Sequence, residues 1–247
     1  MNLDLQGKSV LITGGTKGIG KEIARAFLRE EAKVIVCARS IPSNWEEDIP
    51  VITGDVTNCE ERKRIYAEAT AEVGPIDVLI NNAGGSNGGF IDETEMEEFY
   101  YAFELNYFSA VHFAKLVLPA MKAEKAGSII NISSIYGRES GGKATYNNAK
   151  AAMISFTKAL ADEVAQDGIR VNSVAPGAVL HPTGNWQKRL EKDPEGIEAF
   201  VTREIPAGRF GSPEEIADVV VFLASSKANW VTGASLQVDG GQSKANF

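Results

Sequence analysis

The sequence predicts an α/β fold in which a doubly wound parallel sheet of about seven strands carries helices on both faces. Three observations support this prediction. Short apolar runs alternate with longer segments of helical character, a pattern typical of parallel sheets with right-handed crossovers. Hydrophobic residues make up 44% of the 247 residues, which is enough for a substantial core. A glycine-rich loop, residues 14–20, separates the first strand from the first helix. We therefore expect one domain spanning residues 1–247.

The first half of the chain supplies four strands and two helices of this pattern. The strands are predicted at residues 9–13, 33–38, 51–53 and 76–80, where short apolar runs occur. One helix is predicted at residues 21–30, where apolar residues recur at helical spacing, and another at residues 60–73. The order strand, glycine loop, helix, strand at the start of the chain is a βαβ unit, which implies parallel pairing.

The second half continues with a long helical stretch, three strands and two helices. The long stretch covers residues 96–122 and is expected to break near Pro119, because proline interrupts helical hydrogen bonding. The strands are predicted at residues 128–133, 169–174 and 236–238, and the helices at residues 144–166 and 213–224. Residues 176–206 form a long irregular stretch with several prolines and glycines. Because such loops are usually functional or disordered, we predict a lid at about residues 177–210.

Composition excludes several classes of protein. The net charge of −8 argues against a nucleic-acid partner, because phosphate binding needs a basic face. The two cysteines, Cys37 and Cys59, form neither a CxxC motif nor a disulfide framework, and we expect no metal site. The first residues are polar and no run of 18 apolar residues occurs, so we expect no secretory signal, no membrane span and a cytoplasmic location.

The glycine loop predicts a dinucleotide site of the Rossmann type. Its glycines allow the backbone to approach a diphosphate closely, and the helix that follows offers free N–H groups and a positive dipole end. The second strand ends without the acidic residue that binds an NAD ribose, and Arg39 follows at once. Lys17 adds a second cation inside the loop. Two cations without a carboxylate suit a 2′-phosphate, so we predict NADP(H) as the cofactor.

A possible proton-transfer pair stands later in the chain. Tyr146 and Lys150 are four residues apart in a predicted helix and therefore share one face. A free phenol has a pKa of about 10, which is too high for efficient acid–base catalysis near neutrality. Because a nearby positive charge favours the phenolate, we expect Lys150 to lower the pKa of Tyr146.

Several segments match the motifs of one family in their order along the chain. They are Thr13-Gly14-x3-Gly18-x-Gly20, Asn81-Asn82-Ala83-Gly84, Tyr146-x3-Lys150 and Pro176-Gly177. Together they resemble the short-chain dehydrogenase/reductase family, in its compact single-domain branch. The resemblance covers nearly the whole chain and extends to Asp55-Val56, Arg170-Val171-Asn172 and Val238-Asp239-Gly240-Gly241.

The resemblance implies a set of site residues. The catalytic residues would be Asn106, Ser134, Tyr146 and Lys150. The cofactor-binding residues would be Gly14, Thr16, Lys17, Gly18, Ile19, Gly20, Arg39, Asp55, Val56, Asn82, Ala83, Gly84, Tyr146, Lys150, Pro176, Gly177 and Val179. Tyr146 would exchange a proton with the substrate oxygen, which Ser134 would also bind, and Ser133 is the competing candidate for that second role. Lys150 would bind the nicotinamide ribose, and Asn106 would hold a water that passes protons to it.

The chain departs from the family pattern in three places. Ser134 lies 12 residues before Tyr146, so the loop at residues 137–142 is expected to be one residue short. His181 stands where the family has a Thr that holds the nicotinamide carboxamide, and it either takes that role or faces solvent. Residues 40–48 are short and contain Pro42, so we expect the helix after the second strand to be nearly lost and the adenine side to be open.

Three functions fit these features. The first is an NADPH-dependent oxidoreductase acting on a small carbonyl or alcohol, with Trp186, Phe200 and Phe210 as an apolar wall. The second is a 3-oxoacyl-carrier-protein reductase, although Ser128 and Asp167 stand where such enzymes carry basic docking residues. The third is a regulator that binds NADP without turnover. The resemblance also implies a homotetramer. Candidates for its contact face, which could equally be core, are Ala110, Val111, Phe113, Ala114, Val117 and Ala159.

Overall fold

The computed structural model describes residues 2–246 and contains one sheet of parallel strands. The strands are β1 (Ser9–Thr13), β2 (Lys33–Ala38), β3 (Val51–Thr53), β4 (Val78–Asn81), β5 (Gly127–Ile132), β6 (Ile169–Pro176) and β7 (Ser235–Val238). Their order in the sheet is β3-β2-β1-β4-β5-β6-β7. The order reverses between β1 and β4, which is where ligands bind in open α/β sheets. The predicted doubly wound sheet is therefore confirmed.

Helices cover both faces of the sheet. They are α1 (Gly18–Arg29), α2 (Cys59–Val73), α3 (Met96–Phe103), α4 (Ser109–Glu124), α5 (Ala144–Val164), α6 (Asn185–Lys192), α7 (Pro194–Glu204) and α8 (Pro213–Ala224). A π-helical segment, Glu104–Phe108, joins α3 to α4. Within residues 2–246, no helix is both long and apolar enough to cross a lipid bilayer.

The strand side chains alternate between two cores, one on each face of the sheet. Val10 and Ile12 of β1 belong to the core that includes Phe27 of α1 and residues of α8. Leu11, between them, belongs to the opposite core with Phe113 of α4. All five side chains are fully buried, and burying each stabilises the fold by about 1.5–3 kcal/mol. Because both faces are covered, the centres of β1, β2 and β4 appear in the sequence as unbroken apolar runs.

The predicted break at Pro119 is wrong. Pro119 lies inside α4, on its exposed face, where water can hydrate the carbonyl that lacks an N–H partner. The long helical stretch is interrupted earlier, by the π-helical segment around Asn106. Such one-turn irregularities are frequent at functional sites.

The irregular stretch predicted at residues 176–206 is also wrong, because most of it forms α6 and α7. Asp193 caps α7, accepting a 3.0 Å hydrogen bond from the N–H of Gly196, and Pro194 occupies the first helical position. Proline and an acidic cap start this helix rather than interrupt a chain. The two helices lie where we predicted the lid.

The loss of the helix between β2 and β3 is confirmed, since residues 39–50 contain no helix. The segment is held by charge instead. Glu47 accepts hydrogen bonds from Arg25, at 2.5 Å, and pairs with Lys21 at 3.0 Å. The hydrogen bond from Arg25, and then Lys21, lower the pKa of Glu47 to about 2.

The proposed oligomer face is mostly core. Ala110, Phe113, Ala114 and Val117 are buried within the protomer. Ala159 is exposed on α5 and Val111 is half-buried. The buried residues pack against the sheet and cannot contact another subunit.

Candidate active site

The carboxyl ends of the strands open into one large cavity of about 1110 Å³. It is lined by all the predicted cofactor-binding residues, from Gly14 after β1 to Val179 after β6, and by Ser134. Asn106 lies behind its wall, fully buried. The cavity therefore brings together segments that are far apart in the sequence, at the point where the strand order reverses.

The glycine loop is compact because side chains have no room in it. A Cβ on Gly20 would lie 2.4 Å from the carbonyl oxygen of Gly14, and Gly14 itself has a φ of 67°. The amide of Asn82 donates hydrogen bonds to the carbonyl oxygens of Thr13, at 2.9 Å, and Gly14, at 3.0 Å. The loops that follow β1 and β4 are thus locked together.

The N-terminus of α1 faces the cavity with uncapped N–H groups. Lys17, the residue before the helix, has an extended backbone and makes no side-chain cap. Helices α2 and α8, by contrast, are capped by Asn58 and Ser212. Free N–H groups and the helix dipole favour a phosphate at this point. The glycines and the free donors therefore fit a dinucleotide diphosphate.

Arg39 lines the cavity directly after β2, and Lys17 lines the same cavity. Within residues 2–246, no carboxylate forms an ion pair with Arg39, whereas Lys21, just after the loop, is paired with Glu47. Asp55 also lines the cavity, and its Oδ1 accepts hydrogen bonds from the backbone and side chain of Thr57 at 2.9 and 2.8 Å. The cations at this end fit an additional phosphate better than a bare ribose.

Helix α5 is held against the sheet by a buried polar chain. Asn81 of β4 donates to Asn131 of β5 at 2.9 Å, and Asn131 donates to Thr157 of α5 at the same distance. All three residues are buried. Buried amides must be hydrogen-bonded, so this chain fixes the rotation of α5. That rotation points Tyr146 and Lys150 into the cavity.

Lys150 is 2% exposed and lies next to Tyr146, with its Nζ 5.5 Å from the centre of the phenol ring. The ammonium donates a 2.7 Å hydrogen bond to the carbonyl oxygen of Ile132. A Cβ on Gly84 would lie only 3.2 Å from Nζ. Burial lowers the pKa of Lys150 to about 7, so the amine can hold or release a proton near neutrality.

The predicted lowering of the Tyr146 pKa is wrong in this structure. Burial raises that pKa, and the neighbouring Ser134 side chain only partly offsets the effect. The ammonium of Lys150 does not dominate, because its own charge is disfavoured by burial and its proton is directed at Ile132. The phenol of Tyr146 therefore stays protonated near neutral pH and can act as a general acid.

Ser134, rather than Ser133, is the hydroxyl beside Tyr146. Ser133 donates its proton to the carbonyl of Val174 at 2.9 Å and is buried. The Ser134 Oγ accepts a 3.2 Å hydrogen bond from the N–H of Tyr136, which leaves its own proton available. Two hydroxyl donors, Ser134 and Tyr146, thus lie together on the cavity wall.

The side chain of Asn106 shapes the loop after β4. Its Oδ1 accepts from the N–H of Gly85 at 3.0 Å, and its Nδ2 donates to the carbonyls of Gly85 and Ala102 at 2.9 Å. A Cβ on Gly84 would lie 2.7 Å from that Oδ1. Asn106 therefore packs beneath the loop that also contacts Lys150.

His181 does not simply face solvent. Its imidazole lies against the glycine loop, where a Cβ on Gly18 would come within 2.8 Å of Cε1, and its Nδ1 is 3.3 Å from the Thr183 hydroxyl. Burial and then the charge of Lys17 lower its pKa, so the ring is neutral at pH 7. The residue sits on the phosphate side of the cavity.

The predicted apolar wall is confirmed for two of its three residues. Trp186 and Phe200 line the cavity and stack with ring centres 4.6 Å apart. Phe210 packs on Trp186 at 5.3 Å, outside the residues that line the cavity. Sequence reasoning missed Tyr136 and Arg189, which also line it. The sequence could have indicated them by position alone, because Tyr136 lies two residues after Ser134 and Arg189 lies three residues after Trp186.

The comparisons with known proteins agree with this geometry. A family model described as enoyl-(acyl carrier protein) reductase matches residues 14–243. The chain is similar to the 3-oxoacyl-[acyl-carrier-protein] reductase FabG of Vibrio cholerae, with 38% identity covering 97% of this chain and 98% of that protein. Dehydrogenase/reductase SDR family member 6 of Rattus norvegicus shows the same identity and coverage.

A solved structure gives the same answer for the fold. L-sorbose reductase from Gluconobacter frateurii, complexed with NADPH and L-sorbose, matches with a TM-score of 0.91 and 33% identity, covering 99% of this chain and 100% of that one. Sequence and fold agree over almost the full length of both chains. The chain belongs to the short-chain dehydrogenase/reductase family.

Proposed function

We propose that this protein is an NADP(H)-dependent oxidoreductase that interconverts a carbonyl group and a secondary alcohol of a small molecule. One observation carries the proposal. The two hydroxyl donors, Ser134 and Tyr146, share a single cavity with the glycine loop and Arg39. A nucleotide bound along the loop from Arg39 would bring its nicotinamide end toward Tyr146. The L-sorbose reductase, whose structure contains NADPH and L-sorbose, supports the same cofactor and reaction class.

The cofactor-binding residues divide the nucleotide among them. The uncapped N–H groups of Gly18, Ile19 and Gly20 receive the diphosphate. Arg39 and Lys17 receive the 2′-phosphate as charge-assisted donors. The remaining members of the set bind the rest of the nucleotide. Asp55 and Val56 contact the adenine, Asn82, Ala83 and Gly84 the adenine ribose, and Pro176, Gly177 and Val179 the nicotinamide end.

The reduced nicotinamide supplies a hydride when it is bound. Ser134 and Tyr146 donate hydrogen bonds to the carbonyl oxygen, on which negative charge develops, and Tyr146 transfers its proton there. A single donor of this kind accounts for about 10²–10³ in rate. The high pKa of Tyr146 keeps its proton in place until that charge appears.

Lys150 and Asn106 support this step. Lys150, fixed by Ile132, binds the nicotinamide ribose and, with a pKa of about 7, returns a proton to Tyr146. Asn106 is a positioning residue in this proposal, because its side chain holds Gly85 and so the loop against Lys150. The water expected beside Asn106, which would pass protons toward Lys150, stays part of this proposal.

A 3-oxoacyl-carrier-protein reductase is the second candidate. The description of the family model and the Vibrio cholerae relative favour it. Our sequence argument against it used Ser128 and Asp167. Ser128 is buried and takes no part in docking, so it no longer supports that argument. Asp167 is an acidic surface residue that pairs with Lys122 at 3.2 Å, so the docking position it occupies is not basic. That observation disfavours an acidic carrier.

The test is consumption of NADPH, followed by absorbance, with a panel of aldehydes, ketones and 3-oxoacyl thioesters. Turnover of ketones or aldehydes that carry no thioester supports the first proposal. Turnover confined to thioesters would establish the second. Tight NADPH binding without turnover of any compound would refute both and favour a regulatory protein.

The remaining proposals concern organisation. We propose that residues 1–247 form one catalytic domain and that α6 and α7 are its lid. We also propose that the protein is located in the cytoplasm. We also propose a homotetramer, supported by exposed apolar side chains such as Phe108 at 48% and Trp230 at 100% exposure. Light scattering of the purified protein tests it, and a monomeric mass would refute it.

A further inference from the structure

The cavity has a charge opposite to that of the protein. The chain as a whole carries −8, yet the charged side chains that line the cavity are Lys17, Arg39, Lys143, Lys150, Lys188, Arg189 and Asp55. Basic groups thus outnumber acidic ones there six to one within the described residues. A concave site lined by one sign of charge concentrates ligands of the other sign.

The cofactor and the fold account for four of these cations. Lys17 and Arg39 lie at the phosphate end, and Lys150 lies beside Tyr146. Lys143 donates a hydrogen bond to the carbonyl of Gly88, so it tethers the loop after β4. Lys188 and Arg189, both on α6, have no role in the proposed cofactor binding.

Arg189 is held in a defined position. Its guanidinium carbon lies 4.9 Å from the centre of the Trp186 ring, and Trp186 is itself stacked on Phe200. An arginine stacked on an aromatic ring keeps its planar donors free along its edge. Because stacking on the ring already restricts the guanidinium, little conformational entropy of the Arg189 side chain is lost when a ligand binds.

No carboxylate within residues 2–246 forms an ion pair with Arg189. The other arginines of this region behave differently. Arg203 bonds to Glu204 at 2.6 Å, and Arg209 bonds to Glu215 at 2.7 Å. An arginine that lines a cavity, stacks on a tryptophan and lacks a protein carboxylate is suited to a carboxylate of a ligand.

The charge of Arg189 acts on the substrate end of the cavity. It lowers the pKa of Tyr136, which burial otherwise raises. Tyr136 bonds to Ser134 through its N–H, and its own phenol influences the pKa of Tyr146. The charge of Arg189 therefore reaches Tyr136, and Trp186, on which Arg189 stacks, lines the same cavity as Ser134 and Tyr146.

We propose that Arg189 binds the carboxylate of an oxo-acid or hydroxy-acid substrate while Ser134 and Tyr146 bind its carbonyl or hydroxyl oxygen. The inference rests on the proposed oxidoreductase function and names its substrate class. The carboxylate anchors one end of the molecule, and Trp186 and Phe200 cover the carbons between the two polar ends. Anchoring at two points fixes the carbonyl for attack.

The experiment compares oxo acids with their primary amides, which have the same shape and no charge. The pairs are 2-oxobutanoate, acetoacetate and levulinate with the corresponding amides, assayed by NADPH consumption. We expect at least one acid to exceed its amide by about 10- to 100-fold in kcat/KM, mainly through KM. We expect Arg189→Gln to lower kcat/KM far more for the acid than for its amide, so that the ratio falls toward one, and Arg189→Lys to restore part of it.

Lys192→Gln is the matched control, since Lys192 is an exposed cation on the same helix outside the cavity lining. It should leave the ratio unchanged. Calorimetric titration of acetoacetate into Tyr146→Phe, with and without Arg189→Gln, gives binding in the absence of turnover. We expect weaker binding without the arginine.

Equal rates on acids and amides, or an equal loss on both in Arg189→Gln, would overturn the inference while leaving the oxidoreductase proposal standing. Preference for the neutral thioester S-acetoacetyl-N-acetylcysteamine, unaffected by Arg189→Gln, would also overturn it. Absence of NADPH consumption with every carbonyl compound would instead refute the proposed function.

Discussion

The ammonium of Lys150 is anchored to the carbonyl oxygen of Ile132, at the end of strand β5, by a 2.7 Å hydrogen bond. The backbone of the sheet therefore sets the position of the amine that faces Tyr146. The position of the pair depends on the packing of α5 against β4 and β5. Replacing Tyr146 tests proton transfer, and replacing Lys150 tests how burial affects the pKa of the amine.

Tyr146→Phe should lower kcat by about 10²–10⁴, the usual contribution of a general acid, because it removes the proton and preserves the ring. NADPH affinity, measured by fluorescence titration, should stay within about twofold. Tyr100→Phe removes a hydroxyl from an exposed ring and is the control. Unchanged kinetics in Tyr146→Phe would refute its assignment.

Lys150 should make stability depend on pH in one direction. Its pKa is about 7 in the folded protein and about 10.4 when unfolded, so the unfolded state binds more protons between these values. The free energy of unfolding should therefore rise with pH from about 7 to 10, by up to about 1.4 kcal/mol per unit, and Lys150 should contribute no slope below 7.

Lys150→Met should flatten this slope, as measured by urea unfolding at pH 7, 8 and 9. Lys158→Met, on the exposed face of the same helix, should keep it. Equal slopes in wild type and Lys150→Met would show that burial does not perturb this amine.

Arg39→Asp should weaken NADPH and spare NADH, because the variant replaces a cation beside the 2′-phosphate with an anion. The KM for NADPH should rise by about tenfold or more. Lys115→Asp, an exposed charge reversal on α4, should change neither KM. An equal effect of Arg39→Asp on both cofactors would contradict the phosphate assignment.

Gly18→Ala should be destabilising for two separable reasons. A φ of 52° costs an L residue about 1 kcal/mol, and the new Cβ would lie 2.8 Å from the His181 ring. Gly208→Ala, with a φ of 71° and nothing within 4 Å, measures the first cost alone. In a His181→Ala background the second cost should disappear.

Thermal unfolding of the two single variants and the double variant gives the coupling. Strict additivity of the Gly18 and His181 changes would show that the imidazole does not rest on the loop.

The strands and the cofactor crevice could be predicted because their signals are local. Runs such as residues 34–37 are buried, so every position in them is apolar, and the glycine loop follows β1 directly. The lid was harder. Pro194 and Gly196 suggest a loop when counted, but the cap formed by Asp193 makes the same residues start a helix.

Other features depend on tertiary surroundings that no local pattern contains. The direction of the Tyr146 pKa shift follows from how deeply α5 packs, and periodicity does not report depth. Phe113 and Val117 could equally be core or interface, and only the packed sheet separates the two. Arg189 and Trp186 are three residues apart and stack on each other. The sequence does not show that this pair lines the cavity, and only that location suggests a role in binding.

The chain between β2 and β3 is tied by Glu47 to Arg25 and Lys21, without a helix over it. Because the Glu47 carboxyl has a pKa of about 2, it stays charged at neutral and mildly acidic pH, and acid weakens this tie only near that value. The side of the cavity proposed for the adenine is thus tied down by charge and not covered by a helix. In that binding mode we expect a substituent on the purine to project into water, so NADP immobilised on a resin through its N6 position should still serve this enzyme and retain it for purification.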